Sequence, residues 1–195
     1  PESVPSFTAV GYFFGRQLQQ TLDVPVGLIQ TAWGGTRAEA WTSPQAMAAT
    51  GELKPILDAW AQQCAAYSAE EAQARYAKFL EKWEQDATAA KAAGKPAPAK
   101  PQLAGDPRLD RHHPSNLYNG MVAPLVPFAI RGAIWYQGES NAGRAYQYRV
   151  LMPTMIHSWR DAWQQGDFPF YMVQLANFKA IQTQPGDSDW AELRE

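Results

Sequence analysis

The chain is predicted to be an α/β protein built around a parallel β-sheet. Three short apolar runs have the length and composition of strands. Amphipathic helical patterns precede the first run and separate the later ones, and this alternation is typical of parallel sheets with helical crossovers. The first two runs end in polar turns, and ligands of open parallel sheets bind at that edge.

The first predicted element is a helix from about residue 6 to Leu22. Its apolar residues Val10, Phe13, Phe14 and Leu18 recur every three or four positions, with polar residues between them. The spacing therefore predicts an amphipathic helix that buries one face.

The run VGLIQTAW, residues 26–33, is the first predicted strand. Pro25 precedes it, and Gly34 and Gly35 follow it. Because the run is almost continuously apolar and contains β-branched residues, we expect a buried parallel strand that ends in a tight glycine turn.

A helical excursion is predicted to interrupt the sheet after this strand. Residues 55–93 are rich in Ala, Glu, Gln and Lys, and their aromatic residues recur at helical spacing, so we expect one long helix or a helical hairpin. The segment GKPAPAKP, residues 94–101, then forms an extended connector, because proline removes backbone donors. We predict one domain over residues 1–195 with a helical insertion at about 44–105.

Two further strands and a helix follow the connector. Residues 129–136, AIRGAIWY, and residues 168–175, FPFYMVQL, are the predicted strands. Between them, apolar residues recur with helical spacing from Tyr146 to Trp163. This order completes the predicted α/β topology.

Composition limits the classes of partner. The 195 residues are 46% hydrophobic and 18% charged, with a net charge of -2, so neither nucleic acid nor a membrane surface is expected as a partner. Cys64 is the only cysteine, and the sequence has no His-x-x-x-His pair or carboxylate cluster, so we expect no metal and no cofactor. The eight Trp, eight Tyr and eight Phe suit either core packing or stacking on sugar rings.

The turn after the first predicted strand reads Trp33-Gly34-Gly35-Thr36. Glycine lets a backbone N–H approach a ligand without a Cβ in the way, as an oxyanion hole requires. A purely structural turn explains the two glycines equally simply, and both interpretations stay open here.

The turn after the second predicted strand contains Gln137, Glu139, Ser140 and Asn141. A side-chain amide at this edge can donate to a developing oxyanion, and we expect it to lie near solvent. The alternative is a polar turn that caps the following helix, with Ser140 or Asn141 near the N-cap.

Four segments of the chain resemble the sialate O-acetylesterase-like family of the SGNH hydrolases. They read SFTAVGYFFGRQLQ, GLIQTAWGGTRAEAWTS, LYNGMVAPLVPFAIRGAIWYQGESNAG and SWRDAWQQGDFPFYMVQLANF. The resemblance implies a three-layer, flavodoxin-like α/β/α parallel sheet. It also implies a serine esterase that removes O-acetyl groups from sialic acid or from plant polysaccharides such as xylan or xyloglucan. A periplasmic or secreted location would suit this family.

The resemblance also implies roles for the two turns. The family's second motif carries a glycine at Gly34 or Gly35, of which Gly34 is the better match, and its third motif falls on residues 137–141. Because this motif usually reads Gly-x-Asn-Asp and here reads Gly-Glu-Ser-Asn, either Gln137 or Asn141 would present the amide. The implied oxyanion hole and site wall comprise Gly34, Gly35, Gln137, Gly138 and Asn141, and the implied substrate-binding residues are Trp33, Thr36, Glu139 and Ser140.

The family's nucleophilic serine and its Asp-x-x-His motif match no residues of this chain. We therefore expect an acetylated carbohydrate substrate and, as a second partner, the remaining segments of the same enzyme that carry Ser and His. One alternative is a self-contained esterase that uses Ser188 of a Gly-Asp-Ser sequence, although Ser188 follows a polar stretch and is predicted to be a helix N-cap. Another is a non-catalytic carbohydrate-binding module. The histidines His112, His113 and His157 are predicted to be structural, with sugar contact possible for the first two.

Overall fold

The computed structural model describes residues 6–178, 180–181, 183–184 and 186–195. Within these residues it contains six α-helices and two short parallel strands. The helices are α1 Ala9–Leu22, α2 Pro44–Ala49, α3 Lys54–Ala66, α4 Ala69–Ala92, α5 Ala145–Trp163 and α6 Asp189–Arg194, and the strands are β1 Ala133–Trp135 and β2 Phe170–Met172. Short 3-10 turns occupy Ala38–Trp41, Gly51–Leu53, Pro107–Leu109, Ala123–Leu125 and Glu139–Arg144, and a π-helical turn occupies Tyr118–Val122.

The two strands confirm the predicted parallel pairing, although they are shorter than the sequence predicts. They pair in register from Ala133 opposite Phe170. Neighbouring residues of a strand point to opposite faces. Phe170 contacts Trp159 of α5, and Tyr171 contacts Phe14 of α1. Helices therefore lie on both faces of the strand pair, as expected for an α/β fold.

The predicted buried strand at residues 26–33 is wrong for the described structure. No strand is formed there, and Ile29 is 58% exposed and Trp33 50% exposed. A strand needs a hydrogen-bonded neighbour, and among the described residues this segment has none. The segment is held by its side chains instead: the Thr31 hydroxyl donates to the Met121 carbonyl at 3.3 Å, and the Gln30 side chain accepts from the Thr8 N–H at 2.6 Å.

The predicted helices are present. Helix α1 begins after Thr8, whose hydroxyl accepts a hydrogen bond from the Gly11 N–H at 3.3 Å. Helix α5 begins within one residue of its predicted start at Tyr146. The Ala-rich block forms two consecutive helices, α3 and α4, and the break falls at Tyr67 and Ser68 because the Ser68 hydroxyl caps α4.

Tryptophans form the centre of the core. The rings of Trp41, Trp135 and Trp159 are buried and meet edge to face, with 6.0 Å between neighbouring centroids. The Trp159 indole N–H donates to the Trp41 carbonyl at 2.8 Å, which ties α5 to the turn after residue 36. The core therefore lies directly beneath both turns that the sequence singles out. In the part of the chain that the structure describes, no helix is long and apolar enough to cross a bilayer.

Candidate functional site

The two polar turns lie against each other at the carboxyl end of β1. The Ser140 hydroxyl donates to the Gly35 carbonyl at 2.8 Å, and the Gln137 amide donates to the Thr36 carbonyl at 3.1 Å. The structure thus brings together two segments that are about a hundred residues apart in the sequence. Parallel-sheet ligands bind at this edge, so we treat the joined turns as the candidate site.

The first turn presents free backbone donors. Gly35 has φ +74, and a Cβ built at Gly34 or Gly35 would meet no atom within 4 Å. Among the described residues, neither glycine N–H has a hydrogen-bond acceptor. Trp33 is half exposed beside them, whereas Thr36 is buried, and its hydroxyl donates to the Trp33 carbonyl at 2.7 Å.

The Gln137 amide is half-buried and fully hydrogen-bonded. Its Nε2 donates to the Thr36 carbonyl and, at 2.6 Å, to Oδ1 of Asn141. Its Oε1 accepts from the Tyr148 hydroxyl at 3.1 Å. Burial raises the pKa of Tyr148 above its ordinary value of 10.0, so this hydroxyl stays protonated and keeps its role as a donor at neutral pH.

The Asn141 side chain is buried, and the expectation that its amide lies near solvent is wrong. The residue is only 2% exposed. Its Oδ1 accepts from the Ala38 backbone N–H at 3.0 Å as well as from Gln137, and its Nδ2 donates to Oε2 of Glu39 at 3.0 Å. Asn141 therefore joins the two turns from within.

Glu39 is a site-region residue that the sequence analysis missed. Its side chain is completely buried, where it accepts hydrogen bonds from Asn141 and forms an ion pair with Arg144. Its backbone carbonyl also accepts from the Ser115 N–H at 2.9 Å. A single acidic residue within the apolar sequence Ala-Glu-Ala-Trp, directly after the glycine turn, was the available signal.

Gly138 allows helix α6 to cover the second turn. It has φ +152, and an added Cβ would lie 2.8 Å from Cδ2 of Leu193 and 3.0 Å from Cδ1 of Leu175. The neighbouring Glu139 is exposed. Gly138 therefore has a steric role in the packing of the turn, and Glu139 faces solvent.

The remaining candidate residues have local roles in the structure. The Ser188 hydroxyl accepts from the Ala191 N–H at 3.3 Å, which confirms the predicted N-cap of α6. His113 packs its ring against Trp60, burial lowers the pKa of His112, and His157 lies exposed on α5. Over the described residues, no group of three or more His, Cys, Asp or Glu is arranged to hold a metal ion.

Comparison with known proteins confirms the resemblance that four segments of the sequence suggested. The profile of a family described as carbohydrate esterase, sialic acid-specific acetylesterase, matches residues 104–193. The chain is 29% identical to the sialate O-acetylesterase of Rattus norvegicus, over 96% of this chain and 32% of that protein. It is 30% identical to the sialate O-acetylesterase of Mus musculus, over 88% of this chain and 30% of that protein.

A solved structure gives the same result. The crystal structure of a carbohydrate acetylesterase from Xanthomonas citri superposes with a TM-score of 0.61 and 33% sequence identity, over 100% of this chain and 32% of that one. The chain thus spans about a third of the length of these relatives. Its similarity to carbohydrate acetylesterases extends over nearly all of its own residues.

Proposed function

We propose that this chain, which resembles the sialate O-acetylesterases, is part of a serine esterase that removes O-acetyl groups from a carbohydrate. The observation that carries the proposal is the joining of the Trp33–Thr36 turn to the Gln137–Asn141 turn at the carboxyl end of β1. Relatives of the chain are named sialate O-acetylesterase and carbohydrate acetylesterase, and the activity of the whole protein is inferred from that likeness.

The proposed fold is a three-layer α/β/α sheet that additional segments of the enzyme complete. Helices α1 and α5 on opposite faces of the strand pair support three layers. The exposed Leu28 and Ile29 support a further segment of the enzyme packing on this side, because such a segment would bury them. Within this fold, residues 44–105 are proposed to form a helical insertion: α4 has Ala72 as its one buried residue, and α3 is attached to the core through Ile56 and Trp60.

The proposed role of the joined turns is to stabilise the oxyanion. The backbone N–H groups of Gly34 and Gly35 are the first candidates, because both glycines are exposed and neither N–H has an internal acceptor among the described residues. Gln137 is the second candidate and would exchange its bond to the Thr36 carbonyl for the substrate oxygen. Trp33 and Glu139 are exposed and suit contact with the sugar, whereas Thr36 and Ser140 support the turn.

The reaction then follows the logic of a serine esterase. A serine and a histidine from the remaining segments of the enzyme act on the ester: the serine oxygen attacks the acetyl carbonyl while the histidine takes its proton. The sugar hydroxyl leaves with that proton, and water releases acetate from the acyl-enzyme. The contribution of this chain is the set of donors that meet the negative oxygen in both steps.

Active-site labelling tests this proposal. The full-length protein should react with a fluorophosphonate probe and release acetate from an O-acetylated sugar, whereas the isolated chain should do neither, because it carries the donors without the nucleophile. Parallel assays with O-acetylated sialic acid and with acetylated xylan would identify the sugar. Labelling of the isolated chain at Ser188 would contradict the proposal, and Ser188→Ala provides the matched control.

A further inference from the structure

A buried ion pair beneath the candidate site lies at the end of a directed chain of hydrogen bonds. Arg144 and Asn141 both donate to the carboxylate of Glu39, Gln137 donates to Asn141, and Tyr148 donates to Gln137. These four bonds therefore all run toward Glu39, which carries the only negative charge among the residues that they join. A carboxylate accepts at both oxygens and donates at neither.

Glu39 acts together with the Ala38 N–H and the Thr36 carbonyl to fix the orientation of two side-chain amides. Because the carboxylate accepts only, Asn141 must direct its NH₂ group toward Glu39 and its Oδ1 toward the Ala38 N–H and Gln137. Oδ1 accepts only as well, so Gln137 must direct its NH₂ group toward Asn141 and Thr36. The Tyr148 hydroxyl then completes the arrangement from the other side at 3.1 Å.

We propose that Glu39, paired with Arg144, is a positioning residue that sets the direction of the Gln137 amide for ester hydrolysis. The inference rests on the proposed function, because it gives Gln137 a place beside the developing oxyanion. Glu39 itself is completely buried and acts through Asn141 rather than on the substrate.

Stabilisation of the fold alone does not explain why the buried position 39 carries a charged residue. Removing a carboxylate from water costs several kcal/mol, and well-packed apolar residues in place of a buried ion pair are often at least as stable. The two partners differ in exposure: the Arg144 side chain is 35% exposed, and the Glu39 side chain is completely buried. The buried member is thus the one that contacts the amide chain.

The test is Glu39→Gln in the full-length enzyme. A glutamine offers one acceptor and one NH₂ group, so either Arg144 or Asn141 would face a donor in place of an acceptor. We expect kcat for a small acetyl ester to fall about 10- to 100-fold, since small misplacements of a catalytic group have effects of this size. KM should change little, because the altered interaction matters in the transition state.

A double-mutant cycle separates positioning from general destabilisation. In a Gln137→Ala background, adding Glu39→Gln should change kcat less than about twofold, because residues that act through one another are non-additive. Ser158→Ala is the matched structural control: Ser158 is buried, its hydroxyl donates to the Met155 carbonyl at 2.8 Å, and it lies outside the amide chain. It should lower the thermal midpoint and leave kcat unchanged.

Each outcome of these experiments supports or overturns the positioning role of Glu39. Parental kcat in Glu39→Gln, or equal effects of Glu39→Gln with and without Gln137, would overturn the inference while the esterase function stands. A full-length parent that hydrolyses no acetyl ester would overturn the proposed function, and the inference with it. If Glu39→Gln does not fold, Glu39→Asp keeps the charge and shortens its reach, and its coupling to Gln137→Ala decides in the same way.

Discussion

Asn141→Ala should destabilise the protein much more than Gln137→Ala, although both changes remove one side-chain amide from the same turn. Asn141 is 2% exposed, and its loss strips a hydrogen bond from Ala38 and from Glu39, both of which are completely buried. Each buried group left without a partner costs about 1 to 3 kcal/mol, and more where it is charged. Glu39 keeps Arg144 as a partner, so the total for Asn141→Ala is about 3 to 5 kcal/mol.

Gln137→Ala should destabilise the protein less than Asn141→Ala. Its side chain is half-buried, so water can reach the groups that it leaves, and a cost of about 1 kcal/mol is expected. In a folding unit of this size, 1 kcal/mol shifts the thermal midpoint by roughly 2 to 4 °C. Asn141→Ala should therefore lower the midpoint by about 10 °C, and Gln137→Ala by about 3 °C.

Calorimetry of the full-length variants measures both shifts at once. Equal midpoints for the two alanine variants would refute the reasoning, since they would mean that Asn141 has access to water or that Glu39 does not depend on it.

Three other outcomes follow from the structure. Gly138→Ala should destabilise the turn by about 1 to 3 kcal/mol, because its φ is positive and the added Cβ would meet two leucine side chains. Gly143→Ala is the control and should have no such effect, because its Cβ would have open space around it. Equal urea midpoints for the two variants would contradict this prediction. Because burial raises the pKa of Tyr148, the stability that it provides is present below pH 10 and is lost as pH rises through the raised pKa, so Tyr148→Phe should flatten that alkaline loss in pH-dependent unfolding. The Trp83 indole donates to the Pro98 carbonyl at 2.8 Å, so Trp83→Ala should speed subtilisin cleavage of the 94–101 connector over that of the parent; unchanged rates would show that this bond does not restrain it.

The elements that were predictable from sequence are those whose signals are local. The helical spacing of apolar residues located α1 and α5 to within a few residues, and the Thr8 cap accounts for the start of α1. The parallel pairing of β1 with β2 was likewise predictable, because a helix of crossover length separates them.

The segment 26–33 shows why strands are harder than helices to predict from the sequence. Its apolar pattern describes what the segment would bury, but a strand is defined by a neighbour, and the pattern carries no information on which neighbour is present. Among the described residues, the Thr31 hydroxyl reaches Met121 and no strand lies alongside. A local pattern was therefore a poor guide to an element whose formation depends on distant residues.

Only part of the candidate site was predictable from the sequence. The two turns were predictable, because each follows an apolar run and carries glycines or amides. The hydrogen bonds between them were not predictable, because the partners of Glu39, Asn141 and Arg144, lie more than a hundred positions later in the chain. The apolar neighbours of Glu39 in Ala-Glu-Ala-Trp indicate burial, but nothing within a few residues identifies its partners.

The hydrogen bonds rank the possible oxyanion donors. An N–H with an internal acceptor must break that bond and move before it can donate to the substrate, whereas an exposed N–H without one has only to exchange a water molecule. Both Gln137 amide hydrogens have acceptors, and Asn141 is closed off from solvent. Gly34 and Gly35 are exposed, and their N–H groups have no internal acceptor within the described structure. The glycine backbone should therefore carry most of the oxyanion stabilisation, and Gln137 should contribute less than the two to three orders of magnitude in rate of a dedicated donor.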